Sequence, residues 1–277
     1  METTIGSNAS SGSKSLIVLL CDTPAPPVLA QYGTYHDIFC ALFVASIPAE
    51  STASLNVKSY DVVAGSYPPP AELDEADGVL LTGSKHTAYD TAPWILKLVD
   101  YVKEVHEKGK KIIGICFGHQ IVAMAFGKRE DSSVCESNGA WEVGVVDCEM
   151  TDWGKAVFKE NKGCLVSKIQ QMHRDHVPKA PAGFQLLAHS PVAPNQGMIL
   201  LSSPTSPTSF DLQSVRIFTV QGHPEFTCDI VQKIVGVRRE QGIFSEERAE
   251  KAMKDAADAH DGVVIGKVIL RMLGIEA

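Results

Sequence analysis

The seven cysteines, at positions 21, 40, 116, 135, 148, 164 and 228, are odd in number and include no C-x-x-C pair. That spacing argues against a disulfide framework and against a structural zinc site, and it favours a reducing, cytoplasmic setting. No apolar run is long enough to cross a bilayer. Lys and Arg form no concentrated cluster and the formal charge is −8, whereas a nucleic-acid partner calls for a basic face. The stretch 245–273 has helical periodicity, but Glu, Asp and Ala dominate its polar face, so it reads as a packed surface helix and not as a membrane anchor. Residues 1–14 are rich in Ser, Gly, Thr and Asn with no apolar centre, which argues against a signal peptide and predicts a disordered tail. Residues 15–277 are expected to form one domain, with residues 228–277 as its C-terminal helices.

The remaining chain alternates between two periodicities. Residues 16–20 are a compact apolar run stopped by Pro24, Pro26 and Pro27, which predicts a buried first strand. Residues 28–45 carry apolar side chains at helical spacing, interrupted by Gly33. A second strand is expected over 56–63, and a third over 77–84, ending in Thr82-Gly83-Ser84. Pro93 then opens a helix over 94–107 with Ile95, Leu98, Val99, Val102 and Val105 on one face. Repeated strand-helix alternation is the signature of a parallel sheet covered on both faces. Beyond Gly127 the pattern changes, and residues 128–153 read as an antiparallel hairpin region. Residues 167–177 lead from a strand into a polar cluster, short strands follow at 183–188 and 197–201, and then comes a Ser/Pro/Thr-rich run at 202–209 that reads as a mobile surface loop. A last strand over 215–220 leads to helices over 230–239 and 245–273.

Two stretches carry chemistry. In the first, a β-branched run meets the corner Gly114-Ile115-Cys116-Phe117-Gly118 and continues as a helix. Glycines on both sides allow a sharp corner, and the helix start behind it favours a thiolate. Cys116 is therefore a candidate nucleophile, the plain alternative being a small buried cysteine that closes a strand. In the second, His223 and Glu225 stand two positions apart at a strand end, where a carboxylate can orient an imidazole. The plain alternative there is a turn histidine capped by a nearby acid. Both stretches end predicted parallel strands, and such ends line a shared crevice.

The run Gly114-Ile115-Cys116-Phe117-Gly118-His119-Gln120, followed far downstream by Gln221-Gly222-His223-Pro224-Glu225-Phe226, resembles the class I glutamine amidotransferase family and its Cys-His-Glu triad. Thr82-Gly83-Ser84, Trp94-Ile95-Leu96-Lys97, Trp141-Glu142-Val143-Gly144 and Met172-His173-Arg174-Asp175 fall in the expected order between them. The likeness spans about residues 15–227 and is greatest to stand-alone members, which include plant γ-glutamyl peptidases and fungal proteins. It implies a flavodoxin-like α/β three-layer sandwich, mostly parallel, with helices on both faces. It also implies a thiol that attacks a γ-glutamyl amide to form a thioester, with Cys116 as nucleophile, His223 as general base and acid, and Glu225 as its orienter. The amides of Phe117 and Gly83, or its neighbour, would hold the oxyanion. Gln120 and the His173-Arg174-Asp175 stretch would bind the γ-glutamyl end. No cofactor is implied, and His173 with His176 lacks a third ligand at zinc spacing.

Departures from the family pattern narrow the functional reading. Phe126-Gly127 stands where Gly-Gly is usual, Thr-Gly-Ser replaces Gly-Gly-Pro, and residues 202–209 look inserted. Only about fifty residues follow Glu225, too few for a synthase domain. The expected activity is hydrolysis of a γ-glutamyl peptide or conjugate. A glutaminase subunit that hands ammonia to a separate synthase is the alternative, and a non-catalytic binding module on the same fold is a third reading.

Overall fold

The computed structural model describes residues 1–6, 13–48, 50–127, 136–159 and 166–276. The middle of the expected tail, residues 7–12, and the start of the expected hairpin region, residues 128–135, lie outside the described residues.

Apolar residues at alternate positions fix the central strands. In β2 (Ser13–Leu20), Leu16 and Val18 face one side of the sheet, and Ile17 and Leu19 the other. The same two-sided burial holds for β4 (Gly78–Leu81) and β5 (Lys111–Ile115). Strands buried on both faces need helices on both faces. One layer is α3 (Pro70–Glu75), α4 (Pro93–Glu107) and α5 (Phe117–Phe126), with Leu98, Val102, Ile121 and Val122 packed on Ile17, Leu19 and Ile112. The other is built from α1 (Pro26–Tyr32), α2 (Tyr35–Ser46), α7 (Cys228–Glu240), α8 (Glu246–Asp255) and α9 (Gly262–Met272), with Phe39, Phe43 and Ile269 against Leu16 and Val18. The helix expected over 28–45 is split at Gly33, and that expected over 245–273 is split into α8 and α9.

Among the described residues the strands form one mixed ten-stranded sheet. Its centre, in the order β3 (Ser54–Asp61), β2, β4, β5 and β10 (Val215–Val220), is parallel. Beyond β10 run β9 (Gly197–Leu201), β8 (Gln185–His189), β6 (Glu136–Met150) and β7 (Val166–His176), all antiparallel to their neighbours. The short α6 (Asp152–Val157) joins this extension, capped by the Thr151 hydroxyl, which accepts from the Gly154 N–H. At the opposite edge, Glu2–Gly6 forms β1, antiparallel to β3. This corrects the expected N-terminal tail: Ile5 is the one buried residue of the strand, too weak an apolar pattern to read, and β1 is specified by the free edge of β3. Because β9 and β10 are antiparallel, the 202–209 loop joins them at the rim where β10 begins, away from the strand ends that follow Ile115 and Val220.

Candidate functional site

Cys116 sits at the corner between β5 and α5 with φ 52°, the one non-glycine residue in the left-handed region among those described. The corner is held from both sides. The Cys116 N–H donates to Val220 O at 2.9 Å, and Gly118 packs so close to β4 that an added Cβ would lie 2.5 Å from Leu81 O. Parallel pairing of β4, β5 and β10 puts the ends of all three strands at one rim, as expected where such sheets bind ligands. Residues far apart in the sequence, 82–83, 116 and 221–225, thereby become neighbours.

His223 donates or accepts through Nδ1 at 2.8 Å from Glu225 Oε1, and both side chains are buried. Strand β10 stops at Val220, so it is the turn after it, and not strand alternation, that brings the two together. The turn is pinned where the His223 N–H donates to Gln170 O at 2.8 Å, and Phe226 stacks on the imidazole at 4.0 Å. Burial by itself would depress the imidazolium. The charges of Glu225 and Cys116, with the hydrogen bond to Glu225, overcome it and raise His223 well above its ordinary value. Gly83 lies directly against this pair: a Cβ there would be 2.6 Å from His223 Cε1 and 3.6 Å from Cys116 Cβ. Phe117 opens α5, where backbone N–H groups have no carbonyl one turn back to accept them.

Gln120, His173, Arg174 and Asp175 line one cavity with Cys116, of about 240 Å³. Gln120 Nε2 donates to Asp175 O at 2.8 Å and to Gln221 Oε1 at 3.2 Å, and Gln221 Nε2 in turn donates to Cys116 Sγ at 3.5 Å. Thr87 Oγ1 donates to Asp175 Oδ2 at 3.2 Å, and Arg174 Nε lies 3.3 Å from Asp175 Oδ1. His173 turns its Nε2 towards Glu142 Oε2, 3.0 Å away. His119, inside the nucleophile motif, is a core residue: Nδ1 meets Thr219 Oγ1 at 2.7 Å, and burial holds it neutral with a pKa of about 3. The thiols of Cys21 and Cys148 are pushed up to about 12, chiefly by burial, which leaves them poor nucleophiles.

The profile of the family described as Glutamine amidotransferase class-I matches residues 48–233. The chain is 32% identical over 265 residues to a glutamine amidotransferase-like protein of Schizosaccharomyces pombe, covering 93% of this chain and 98% of the relative. This chain belongs to the class-I glutamine amidotransferase family. Among its other relatives, gamma-glutamyl peptidase 4 of Arabidopsis thaliana is 30% identical over 233 residues, 80% of each chain. A solved glutamine amidotransferase of Thermotoga maritima superposes with a TM-score of 0.62 at 16% identity, over 94% of this chain and 98% of that one, which is a likeness of fold.

Three residues of this class-I amidotransferase site carried no functional assignment in sequence. Gln221 is the donor to the Cys116 sulfur, Glu142 is the partner of His173, and Arg238 of α7 lines the cavity from the helical layer. The Gln221 amide is signalled only by its place in the motif before His223, and Arg238 by nothing local. Glu142 is buried, accepts from Ser190 Oγ at 2.6 Å and from Gln196 Nε2 at 2.7 Å, and faces the His173 imidazole. Burial opposes its charge, but His173, Ser190 and Gln196 outweigh that and hold its carboxyl below the ordinary range. A depressed carboxyl contributes stability above its unfolded pKa of about 4.3 and loses it as pH falls through the lower folded value. Glu142→Gln, which weakens the charge-assisted hydrogen bonds from Ser190 and Gln196, is accordingly expected to cost about 1–3 kcal/mol at neutral pH. The deficit should shrink below about pH 4, which urea unfolding at pH 7 and at pH 3.5 would measure.

Proposed function

We propose that this protein is a cysteine hydrolase of γ-glutamyl amide bonds that releases an amino acid or peptide from a γ-glutamyl conjugate. The observation that carries the reading is the buried Cys116–His223–Glu225 group: a thiol on a strained corner, set beside an imidazole whose protonated form is favoured by the carboxylate behind it. In this reading the Cys116 thiolate attacks the γ-carbonyl carbon. The C–S bond forms, and the carbonyl electrons move to an oxygen received by the amides of Phe117 and Gly83. As the tetrahedral species collapses, the C–N bond breaks and the departing amine takes the proton of the His223 imidazolium. Water then gives a proton to the neutral imidazole, its oxygen adds to the thioester carbon, and the thiolate leaves as glutamate forms. Gln120, Arg174 and Asp175 hold the α-amino and α-carboxylate groups, and Glu142 fixes His173 beside them.

Similarity to the Arabidopsis gamma-glutamyl peptidase favours a peptide or conjugate as substrate over glutamine. Free thiols at Cys21, Cys40, Cys116, Cys148 and Cys228 support a reducing compartment, and the cytoplasm is the proposed location. No helix among the described residues is long and apolar enough to cross a membrane. The test is intact-protein mass spectrometry after brief exposure to glutamine, γ-glutamyl dipeptides and a glutathione S-conjugate. A γ-glutamyl adduct from the dipeptides is the expected result. Turnover of glutamine alone, and only when a synthase partner is added, would replace this reading with that of an ammonia-supplying subunit.

A further inference from the structure

Two cavities meet at the Cys116–His223 pair. The smaller, described above, includes Cys116 and the residues proposed to hold the γ-glutamyl end. The larger, of about 590 Å³, opens on the His223 side. Whatever group leaves must take its proton from His223, so its nitrogen lies beside that ring and everything attached to the nitrogen extends into the larger space. Ammonia, about the size of a water molecule of roughly 30 Å³, would leave such a space almost unfilled. The volume is that of a pocket for a small organic ligand.

The lining narrows the class of ligand. Pro24, Pro26, Tyr35, Ile234, Val237 and Ile243 offer an apolar wall suited to a side chain. Three charged residues complete it: Asp22, Lys85 and Arg238. Asp22 is saturated, since it accepts from Lys85 Nζ at 2.7 Å and from the N–H groups of Lys85 and Thr23 at 2.7 and 2.8 Å. Lys85 is thereby occupied as well. Arg238 differs: among the described residues its guanidinium has no carboxylate partner within ion-pair distance, and its Nε is buried without a hydrogen bond. It lies 4.8 Å from the Trp141 ring centroid, a contact that holds the planar fork in place, and it stands at the boundary shared by both cavities. An Nε–H shut away from water with no acceptor is costly unless a ligand completes it, and the geometry of the guanidinium suits a carboxylate.

We propose that the His223-side cavity is the subsite for the departing amine, that this amine is an α-amino acid or short peptide with a free carboxylate, and that Arg238 binds that carboxylate. The proposal rests on the γ-glutamyl hydrolase reading above and names the leaving group within it. Arg238 sets specificity here, and ammonia, which has no carboxylate, gains nothing from it.

The experiment compares γ-glutamyl-alanine with γ-glutamyl-alaninamide, which differ only in the carboxylate, on the wild-type protein and on Arg238→Gln and Arg238→Lys. The wild type is expected to prefer the free acid by roughly 10- to 100-fold in kcat/KM, mostly through KM. In Arg238→Gln the ratio should fall towards one, and Arg238→Lys should recover part of it, since an ammonium keeps the charge but not the fork. Using the ratio cancels any general effect of the guanidinium on the nearby Cys116 thiolate. A wild-type ratio near one would overturn the proposal without any variant, whether or not the variants fold. An unchanged ratio in Arg238→Gln would also overturn it, placing the guanidinium on the γ-glutamyl side. If neither dipeptide is turned over while glutamine is, the hydrolase reading itself falls. Turnover of both dipeptides at equal efficiency overturns the carboxylate subsite and leaves the hydrolase reading standing.

Discussion

Replacing Cys116 with alanine should lower turnover of γ-glutamyl substrates roughly 10⁴-fold or more and abolish the mass shift of an acyl-protein, because no other described thiol lines either cavity. Cys21, just past the end of β2, and Cys148, on β6, are buried with thiols pushed up to about 12, and neither lines the two cavities at the rim. The fold should survive. Alanine takes the same left-handed backbone angle as cysteine with no added bulk, and the N–H of residue 116 still donates to Val220 O. What is lost is the acceptor for Gln221 Nε2, a cost of about 1 kcal/mol that a urea-unfolding curve would register. Cys116→Ser restores an acceptor at that point without a competent thiolate, so it should recover the stability and not the turnover. Substantial activity in the alanine variant would remove Cys116 from the reaction.

His223→Ala is expected to reduce kcat by about 10³- to 10⁴-fold, and Glu225→Ala by an amount roughly ten to a hundred times smaller, because an orienting carboxylate is partly replaceable and a proton donor is not. The two variants are separated by pH as well. Burial of His223 favours its neutral form, and the Glu225 charge leads the groups that reverse this and raise its pKa. A raised histidine contributes stability that is complete below its unfolded pKa of about 6.5 and is lost as pH rises through the folded value. The proton available to the departing amine disappears over the same upper range. Without Glu225 the basic limb of the kcat/KM profile should therefore move towards acid, whereas a carboxylate with a purely structural role would lower the plateau and leave the limb in place. Phe226, stacked at 4.0 Å, holds the ring in either case, which keeps the Glu225→Ala comparison one of charge and not of ring position.

Much of this arrangement was legible in the sequence for identifiable reasons. A strand buried on both faces shows an unbroken apolar run, as in residues 16–20, and a helix on a sheet shows one apolar stripe, as from Ile95 to Val105. The corner at Cys116 is written locally too, because the contact of Gly118 with Leu81 O leaves no room for a side chain. Other features had no local signal. Strand β1 buries only Ile5 and exists because β3 offers a free edge. Arg238 and Glu142 are polar residues whose neighbours in sequence say nothing of the aromatic ring or the imidazole they meet in space.

By itself, then, the order of residues determined the alternation of strands and helices and the identity of the thiol, imidazole and carboxylate, since each depends on chemistry within a few positions of the chain. The tertiary structure decided the antiparallel extension that carries His173 and Asp175 to the rim, the amide link from Asp175 through Gln120 and Gln221 to the sulfur, and the place of the Arg238 guanidinium, whose Nε has no hydrogen bond among the described residues. Those are encounters between distant segments. They are set by which edges and faces remain to be covered once the central sheet has formed, and no local periodicity records that outcome.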